Sequence, residues 1–416
     1  MMSETLTNAL PPMLFGEKLM GALISLPEYR SEIQTAPAEA RLMALSDLYR
    51  LYLPSSMSVE IYHKLYLSTL RSLQQKDTID AVRQLALNRN AIRGEAARSV
   101  LCPPAASSFT VLAPSGFGKT TAVSKAVALI TGNQIIEAQN PYRKIIPILQ
   151  IQTPFDASVK SMLLAVLQGI DNAIGTNYFT KLSQSGRATT DSLISGVANA
   201  ALLHIGTLIL DECQQVANSR NGGILVGALT QLYNSASIGT CLVGTPDCAT
   251  FFEQSFILAR RSTGLRYDFL PFDEYFKQLC SVLFQYQYTR SAMPLTDGLM
   301  VWLYDHSMGL VSNLVALIHD AQEISIISGR DNLDMSALNE AYQKRLTMLH
   351  GYIESQRTKQ KTPKKPIKPK AEVHPTGFSG EIDEHIFAEA ALEAKQSQAD
   401  IVSLLREKVP ITEITL

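Results

Sequence analysis

The sequence predicts an α/β fold built on a parallel sheet, with helical segments before and after it. Three observations carry that reading. Residues 107 to 271 alternate short β-branched runs with helical stretches. A glycine-bearing turn, Ala113-Pro-Ser-Gly-Phe-Gly-Lys-Thr-Thr121, joins an apolar run to a helical one. A second apolar run, Thr207-Leu-Ile-Leu, ends in two acids, Asp211 and Glu212.

The elements follow in order. Residues 1–100 read as an N-terminal helical domain, with apolar residues at helical spacing in Arg41 to Leu53 and Val59 to Leu73 and a break at Pro54-Ser-Ser56. Residues 101–271 form the α/β core. Its candidate strands are Phe109–Leu112, Ile145–Ile151, Thr207–Leu210, Thr240–Val243 and Tyr267–Leu270. Residues 272–356 return to helical patterning as a C-terminal helical lid. From Arg357 to Lys370 there are seven basic residues, three prolines and no acid, so 357–380 reads as an extended linker. Residues 381–416 are acidic, with eight Asp/Glu against three Lys/Arg, and contain an amphipathic stretch from Ile386 to Leu405.

Composition bounds the function classes. The 416 residues are 46% hydrophobic and 18% charged, with 37 Lys+Arg against 38 Asp+Glu. Such a chain buries a sizeable core, and any electrostatic footprint for nucleic acid must be local. Cys102, Cys213, Cys241, Cys248 and Cys280 are scattered without metal-ligand spacing and read as reduced thiols of a cytoplasmic bacterial protein. No leader is legible at the start, and no apolar stretch reaches the roughly 18 residues of a membrane span.

The chemistry starts at the turn. Gly116 and Gly118 let the backbone curl so that the N–H groups of Ser115 to Thr121 converge on one concavity ahead of a helix, a phosphate-binding nest. Ser115, Gly116, Phe117, Gly118, Lys119, Thr120 and Thr121 are the nucleotide-binding candidates, with Lys119 reaching the β- and γ-phosphates of ATP. Thr120 and Asp211 would hold Mg²⁺, and Glu212 would polarise the attacking water. The strand Thr240–Val243 leads into Gly244-Thr245-Pro246-Asp247, where Thr245 is the candidate to place that water; a plain Gly/Pro turn is the alternative. Arg260, Arg261 and Arg266 crowd the stretch before the last strand. They suit donation of a guanidinium to a neighbouring subunit's phosphate, which implies an oligomer, or else they are solvated surface charge.

These elements in this order resemble an AAA+ P-loop NTPase, and within that class the TnsC/TniB family of transposition regulators. The supporting segments are Ile170-Asp-Asn-Ala-Ile-Gly-Thr-Asn-Tyr178, His204-Ile-Gly-Thr-Leu-Ile-Leu-Asp-Glu-Cys-Gln-Gln215 and Phe256-Ile-Leu-Ala-Arg-Arg-Ser-Thr-Gly264, together with the Gly244-Thr245 strand end. The lid departs from the wider class: Met308-Gly-Leu-Val-Ser-Asn-Leu314 lacks the arginine of a Gly-x-x-Arg stretch. The resemblance implies ATP-dependent assembly of a homo-oligomer, ring or filament, on the phosphate backbone of duplex DNA, linking a target-selector protein to transposase subunits. It places DNA contact after the second strand, where Lys160, Lys181 and Arg187 lie; solvated helix and loop charge is the alternative. By its seven cations the basic linker is a separate DNA candidate, or else a solvated spacer; by analogy with the family the acidic tail is a peptide for transposase subunits and the N-terminal helices a docking surface for the selector. Two other functions fit the motifs: a helicase-loader or origin-recognition-like ATPase, and an ATP-gated DNA scaffold that does not hydrolyse.

Overall fold

The computed structural model describes residues 6–76, 107–139, 142–156, 158–183, 190–217, 238–249 and 264–347, with positions 227 and 351. The chain divides into two units, Met1–Gln356 and Arg357–Leu416. The second unit, which holds the basic linker and the Ile386 to Leu405 stretch, lies outside the described residues.

Six strands form one sheet: β1 (Ser108–Leu112), β2 (Ile136–Gln139), β3 (Tyr142–Gln152), β4 (Ile205–Asp211), β5 (Gly239–Gly244) and β6 (Leu265–Arg266). Their order is β2-β3-β4-β5-β1-β6, parallel throughout except for the antiparallel β2 edge. The central strands β4 and β5 are buried along their whole length, as strands covered on both faces must be. Residues alternate between the two faces: Ile209, Cys241 and Val243 join one core, while Leu208, Leu210 and Leu242 join the other.

Sequence and structure differ at the sheet's two edges. The last strand is not Tyr267–Leu270 but Leu265–Arg266, which pairs with Val111 and Leu112. The ladder reaches one bond further, Tyr267 N–H to Leu112 O at 2.8 Å, and ends because β1 itself turns into the glycine loop. The β2 strand has no counterpart among the expected strands. It pairs only with Tyr142–Ile145, and Pro147, which cannot donate to a ladder, stands where β3 has lost that partner. Across from Pro147, a side chain at Gly206 would lie 2.4 Å from the Pro147 carbonyl, so only glycine lets β4 approach there.

Helices cover both faces. One face carries α4 (Lys119–Thr131) and α3 (Ser56–Lys76), the other α5 (Val159–Ile174) and α7 (Thr190–His204), with α6 (Tyr178–Ser183) between the last two in sequence. Helix α3 lies against the sheet through small polar residues. Thr69 and Thr207 share a hydroxyl hydrogen bond of 2.9 Å, Ser68 donates to the Ser107 carbonyl, and Gly239 leaves room for the Ser68 hydroxyl. Earlier in the chain come α1 (Gly16–Leu23) and α2 (Ala38–Ala44), and α8 (Gln214–Ala217) is a single turn after β4. The C-terminal helices are α9 (Glu274–Leu283), α10 (Asp297–Ser307), α11 (Val311–Ile327) and α12 (Met335–Ala341). Asp273, Thr296 and Asp334 cap the N-termini of α9, α10 and α12 with side-chain oxygens.

The stretch between α1 and α3 is tied to these C-terminal helices. Tyr29 donates to the Gln287 carbonyl, Tyr286 to the Pro27 carbonyl, and the buried Arg41 forks onto Asp331. Residues further toward the N-terminus hold the α3 side: Tyr62 accepts from Leu14 N–H, and Tyr66 donates to the Pro11 carbonyl. Among the described residues no single helix is long and apolar enough to cross a membrane.

Candidate functional site

Because β1, β4 and β5 are parallel, their C-terminal ends open on the same edge of the sheet, where ligands bind in such folds. The three segments singled out from sequence leave from those ends. The loop Ala113–Gly118 follows β1 and feeds α4 directly. Gly116 and Gly118 have φ of +79° and +98°, conformations open to glycine and costly to other residues. Ala113, the small residue at the head of the loop, is fully buried, and its N–H donates to the Gly244 carbonyl at the end of β5. Phe117 stacks on Tyr267, whose hydroxyl donates to Glu60 of α3.

Lys119 is buried beneath the loop and donates to the Ala113 and Pro114 carbonyls at 2.8 and 2.9 Å. Burial lowers its pKa, while the Glu212 and Asp211 carboxylates pull in the opposite direction. Next in the helix, Thr120 Oγ1 donates to Asp211 Oδ2 at 2.9 Å. A hydroxyl and a carboxylate converging at the end of a phosphate nest form the oxygen donor set that a hard cation takes. The residues therefore fit Mg²⁺ and the phosphates of a nucleotide.

Glu212 follows with φ of +59°, a left-handed conformation uncommon for a residue with a Cβ. Its neighbours impose it. Glu212 N–H donates to Asp211 Oδ1, and the next N–H, of Cys213, reaches across to the Val243 carbonyl. The Glu212 carboxylate accepts from the Gln214 side-chain amide. Thr245 stands at the end of β5 with its Oγ1 buried and without a hydrogen bond of normal geometry; the Cys248 thiol beside it is only a weak partner. Burial raises the pKa of Cys248 to about 12, so it stays a protonated thiol.

The structure thus brings together Lys119, Thr120, Asp211 and Glu212, with Thr245 joined to them through Gln214. Arg266 ends β6 opposite Leu112 and is exposed. Lys160 and Lys181 are exposed on α5 and α6. Arg260, Arg261 and Arg187 lie outside the described residues.

Three features escaped the sequence reading. Gln214, visible in Asp211-Glu-Cys-Gln-Gln215, was read as part of a family pattern with no task of its own. Ser312 occupies the fourth place of Gly309-Leu-Val-Ser312, where the wider class carries arginine, and its N–H donates to the Gly116 carbonyl at 3.0 Å. Phe155 is 90% exposed directly after β3, in a turn whose Asp156 accepts from Ser158 N–H and the Ser161 hydroxyl. A hydrophobic residue that exposed gives no periodicity signal.

Residues 101–266 match the family model of the bacterial TniB protein, about two-fifths of the chain. No curated protein matches it. Among solved structures, the Orc1 protein of Aeropyrum pernix in complex with DNA aligns at TM-score 0.40 and 14% identity, covering 80% of this chain and 78% of that one. Drosophila ORC bound to DNA aligns at TM-score 0.44 and 12% identity, over 99% of this chain and 86% of that one. A Walker-type ATPase of Pyrococcus abyssi aligns at 0.39 and 11%, over 68% and 77%. Likenesses this distant carry no functional argument; the strand order and the loop geometry assign the P-loop NTPase fold.

Proposed function

We propose, from the premise that residues 101–266 form a TniB-family domain, that this chain is an ATPase whose nucleotide state governs its assembly on duplex DNA during transposition. The observation that carries the hydrolytic part is the Thr120–Asp211 pair at the end of the glycine loop, with Glu212 one residue beyond it.

The chain's own residues divide the work. The loop N–H groups bind phosphate oxygens, and the N-terminus of α4 adds its partial positive charge. Lys119 exchanges the Ala113 and Pro114 carbonyls for phosphate oxygens, which restores the partners that burial makes it need. Bound Mg²⁺, held by Thr120 and Asp211, supplies neutralisation of phosphate charge. Glu212 takes the proton of the attacking water, and the otherwise unpaired Thr245 hydroxyl orients that water. An arginine from the 260–266 stretch of a second copy completes the charge stabilisation. Lys160 and Lys181, exposed after β3, meet the DNA backbone, and Phe155 stands in the same segment. A target selector and transposase subunits are the protein partners this reading implies.

The test is steady-state ATP turnover with and without duplex DNA, for wild type and Glu212→Gln, across a salt series. Wild type should turn over on the order of 10²–10⁴ times faster than the variant, while both bind ATP. DNA stimulation should fade steeply between low and physiological salt. Equal rates for the two proteins defeat the hydrolytic reading, and salt-independent stimulation defeats the backbone contact.

A further inference from the structure

Glu212 and Thr245 come from the ends of two different strands, and one side chain touches both. Gln214 Nε2 donates to Glu212 Oε2, while Gln214 Oε1 accepts from Thr245 N–H at 3.3 Å. The amide orientation follows from its partners. Turned over, it would set an oxygen against a carboxylate and an N–H₂ against an N–H, two repulsions in place of two bonds.

The surroundings are shaped to admit this amide. A Cβ at Gly244 would lie 3.2 Å from Gln214 Oε1 and 2.8 Å from Cys248 Sγ, so the glycine before Thr245 makes the space. The backbone on the other side is equally fixed. Gln215 N–H donates to the Glu212 carbonyl, closing the turn that begins α8, and Cys213 N–H anchors that turn to β5. A glutamate side chain has three rotatable bonds, and a carboxylate without a partner spends most of its time away from any single geometry. A base misplaced by about 1 Å can lose on the order of 10²-fold in rate.

We propose that Gln214 is a positioning residue for hydrolysis: it locks the Glu212 carboxylate to the backbone at the end of β5, so that Glu212 and Thr245 hold one geometry. This rests on the ATPase reading above. Gln214 acts through Glu212 and Thr245, and its loss changes the rate without changing nucleotide binding.

The experiment uses the full chain with Gln214→Met, which keeps length and bulk but no hydrogen-bonding group, and Gln214→Glu, which keeps the acceptor for Thr245. Hydrogen exchange of the Thr245 amide is measured first, without nucleotide. Exchange in Gln214→Met should be faster than in wild type by about tenfold. Turnover follows. Gln214→Met should lose about 10–100-fold in kcat, with the KM for ATP held within about twofold and the melting temperature nearly unchanged. Gln214→Glu, which sets a second carboxylate against Glu212 in place of the amide donor, should be as slow as Gln214→Met at pH 8. A merely structural glutamine would lower the melting temperature and disturb KM rather than kcat alone. Equal Thr245 exchange in wild type and Gln214→Met overturns the lock itself. So does wild-type kcat in Gln214→Met when Glu212→Gln is slow. If wild type and Glu212→Gln turn over alike, the ATPase reading fails on its own, and the exchange result still decides whether the lock exists.

Discussion

The phosphate loop and the helical layer facing it are tied down by different means. The loop is held by backbone: two positive-φ glycines, a lysine folded onto main-chain carbonyls, and an N–H from Ala113 to Gly244. The contact between the C-terminal helices and the segment before α3 is held by side chains drawn from far apart in sequence. Arg41 reaches Asp331 and the Tyr288 carbonyl, and Tyr29 and Gln34 reach the Gln287 carbonyl. The two regions meet where Ser312 N–H of α11 donates to the Gly116 carbonyl. A backbone-built site tolerates little change at a few positions, whereas a side-chain-built interface spreads its stability over many. Where the wider class sends an arginine toward the nucleotide, this chain places a serine against the loop itself.

The largest effect should come from Gly116→Ala, which strikes the meeting point. A Cβ there would lie 2.2 Å from Ser312 Oγ, at a φ of +79° that costs a non-glycine residue about 1–2 kcal/mol. Nucleotide affinity should fall by at least about tenfold, because strain and displacement both spoil the nest. Adding Ser312→Ala removes the hydroxyl but leaves a Cβ at 3.2 Å and the backbone cost, so the double variant should recover only part of the loss. Full recovery would show that the loop's conformation is set by the lid, and no recovery that the lid contact is incidental. Titration with a fluorescent ATP analogue reads both outcomes.

The same division explains what was legible in the sequence. The placement of Ala113–Thr121, Asp211, Glu212 and Thr245 at strand ends was legible because each follows an apolar run within a few positions. The central strands were legible because burial on both faces favours short apolar runs such as Leu208–Leu210. Gln214 was not, since its task depends on Thr245, 31 residues away and on another strand. The end strand was misplaced because Tyr267-Asp-Phe-Leu270 has strand-like residues, yet its partner β1 has already curled into the loop. Strand β2 was missed because Ile136-Glu-Ala-Gln139 has little β propensity and is recruited by pairing with β3. Nothing in the periodicity of α3 showed that its Ser68 and Thr69 face the sheet, since small hydroxyl residues read as polar.

A smaller effect should follow from breaking the side-chain-built contact. Arg41 is 1% exposed, and its guanidinium forks onto Asp331 while also reaching the Ala36 and Tyr288 carbonyls. The Arg41 hydrogen bond holds the Asp331 carboxyl below its ordinary pKa, with Arg290 helping from the surface. Arg41→Met keeps most of the packing but strands these acceptors, and should cost about 2 kcal/mol in unfolding free energy. ATP affinity should stay within about twofold of wild type, since the loop does not depend on this network. Chemical denaturation and the same titration measure the two quantities. A larger loss of affinity than of stability would mean that the network, and not the loop backbone, sets the nucleotide site.

The smallest effect concerns a third site, where a charged side chain is buried against backbone. Lys76, the last residue of α3, is fully buried and donates to the Ala201 and Leu202 carbonyls near the end of α7. Burial, with the Arg143 guanidinium adding to it, pushes its pKa down to about 7, and the neighbouring His204 is lowered as well. In the unfolded chain the lysine keeps its ordinary value of about 10.4. Between those two values the unfolded chain holds a proton that the folded protein has released, so stability rises with pH across that window. Below about 7 both states are charged, and the folded state carries the whole cost of the buried ammonium. Wild type should therefore gain more in melting temperature from pH 6.5 to 9 than Lys76→Met does, by about 2–4 °C. The comparison cancels Lys119, whose lowered pKa pushes the same way in both proteins. Parallel profiles would mean that the two carbonyls, at the negative end of the α7 dipole, keep Lys76 charged in the folded state. Backbone would then be compensating a buried cation between α3 and α7 as it does for Lys119 beneath the phosphate loop.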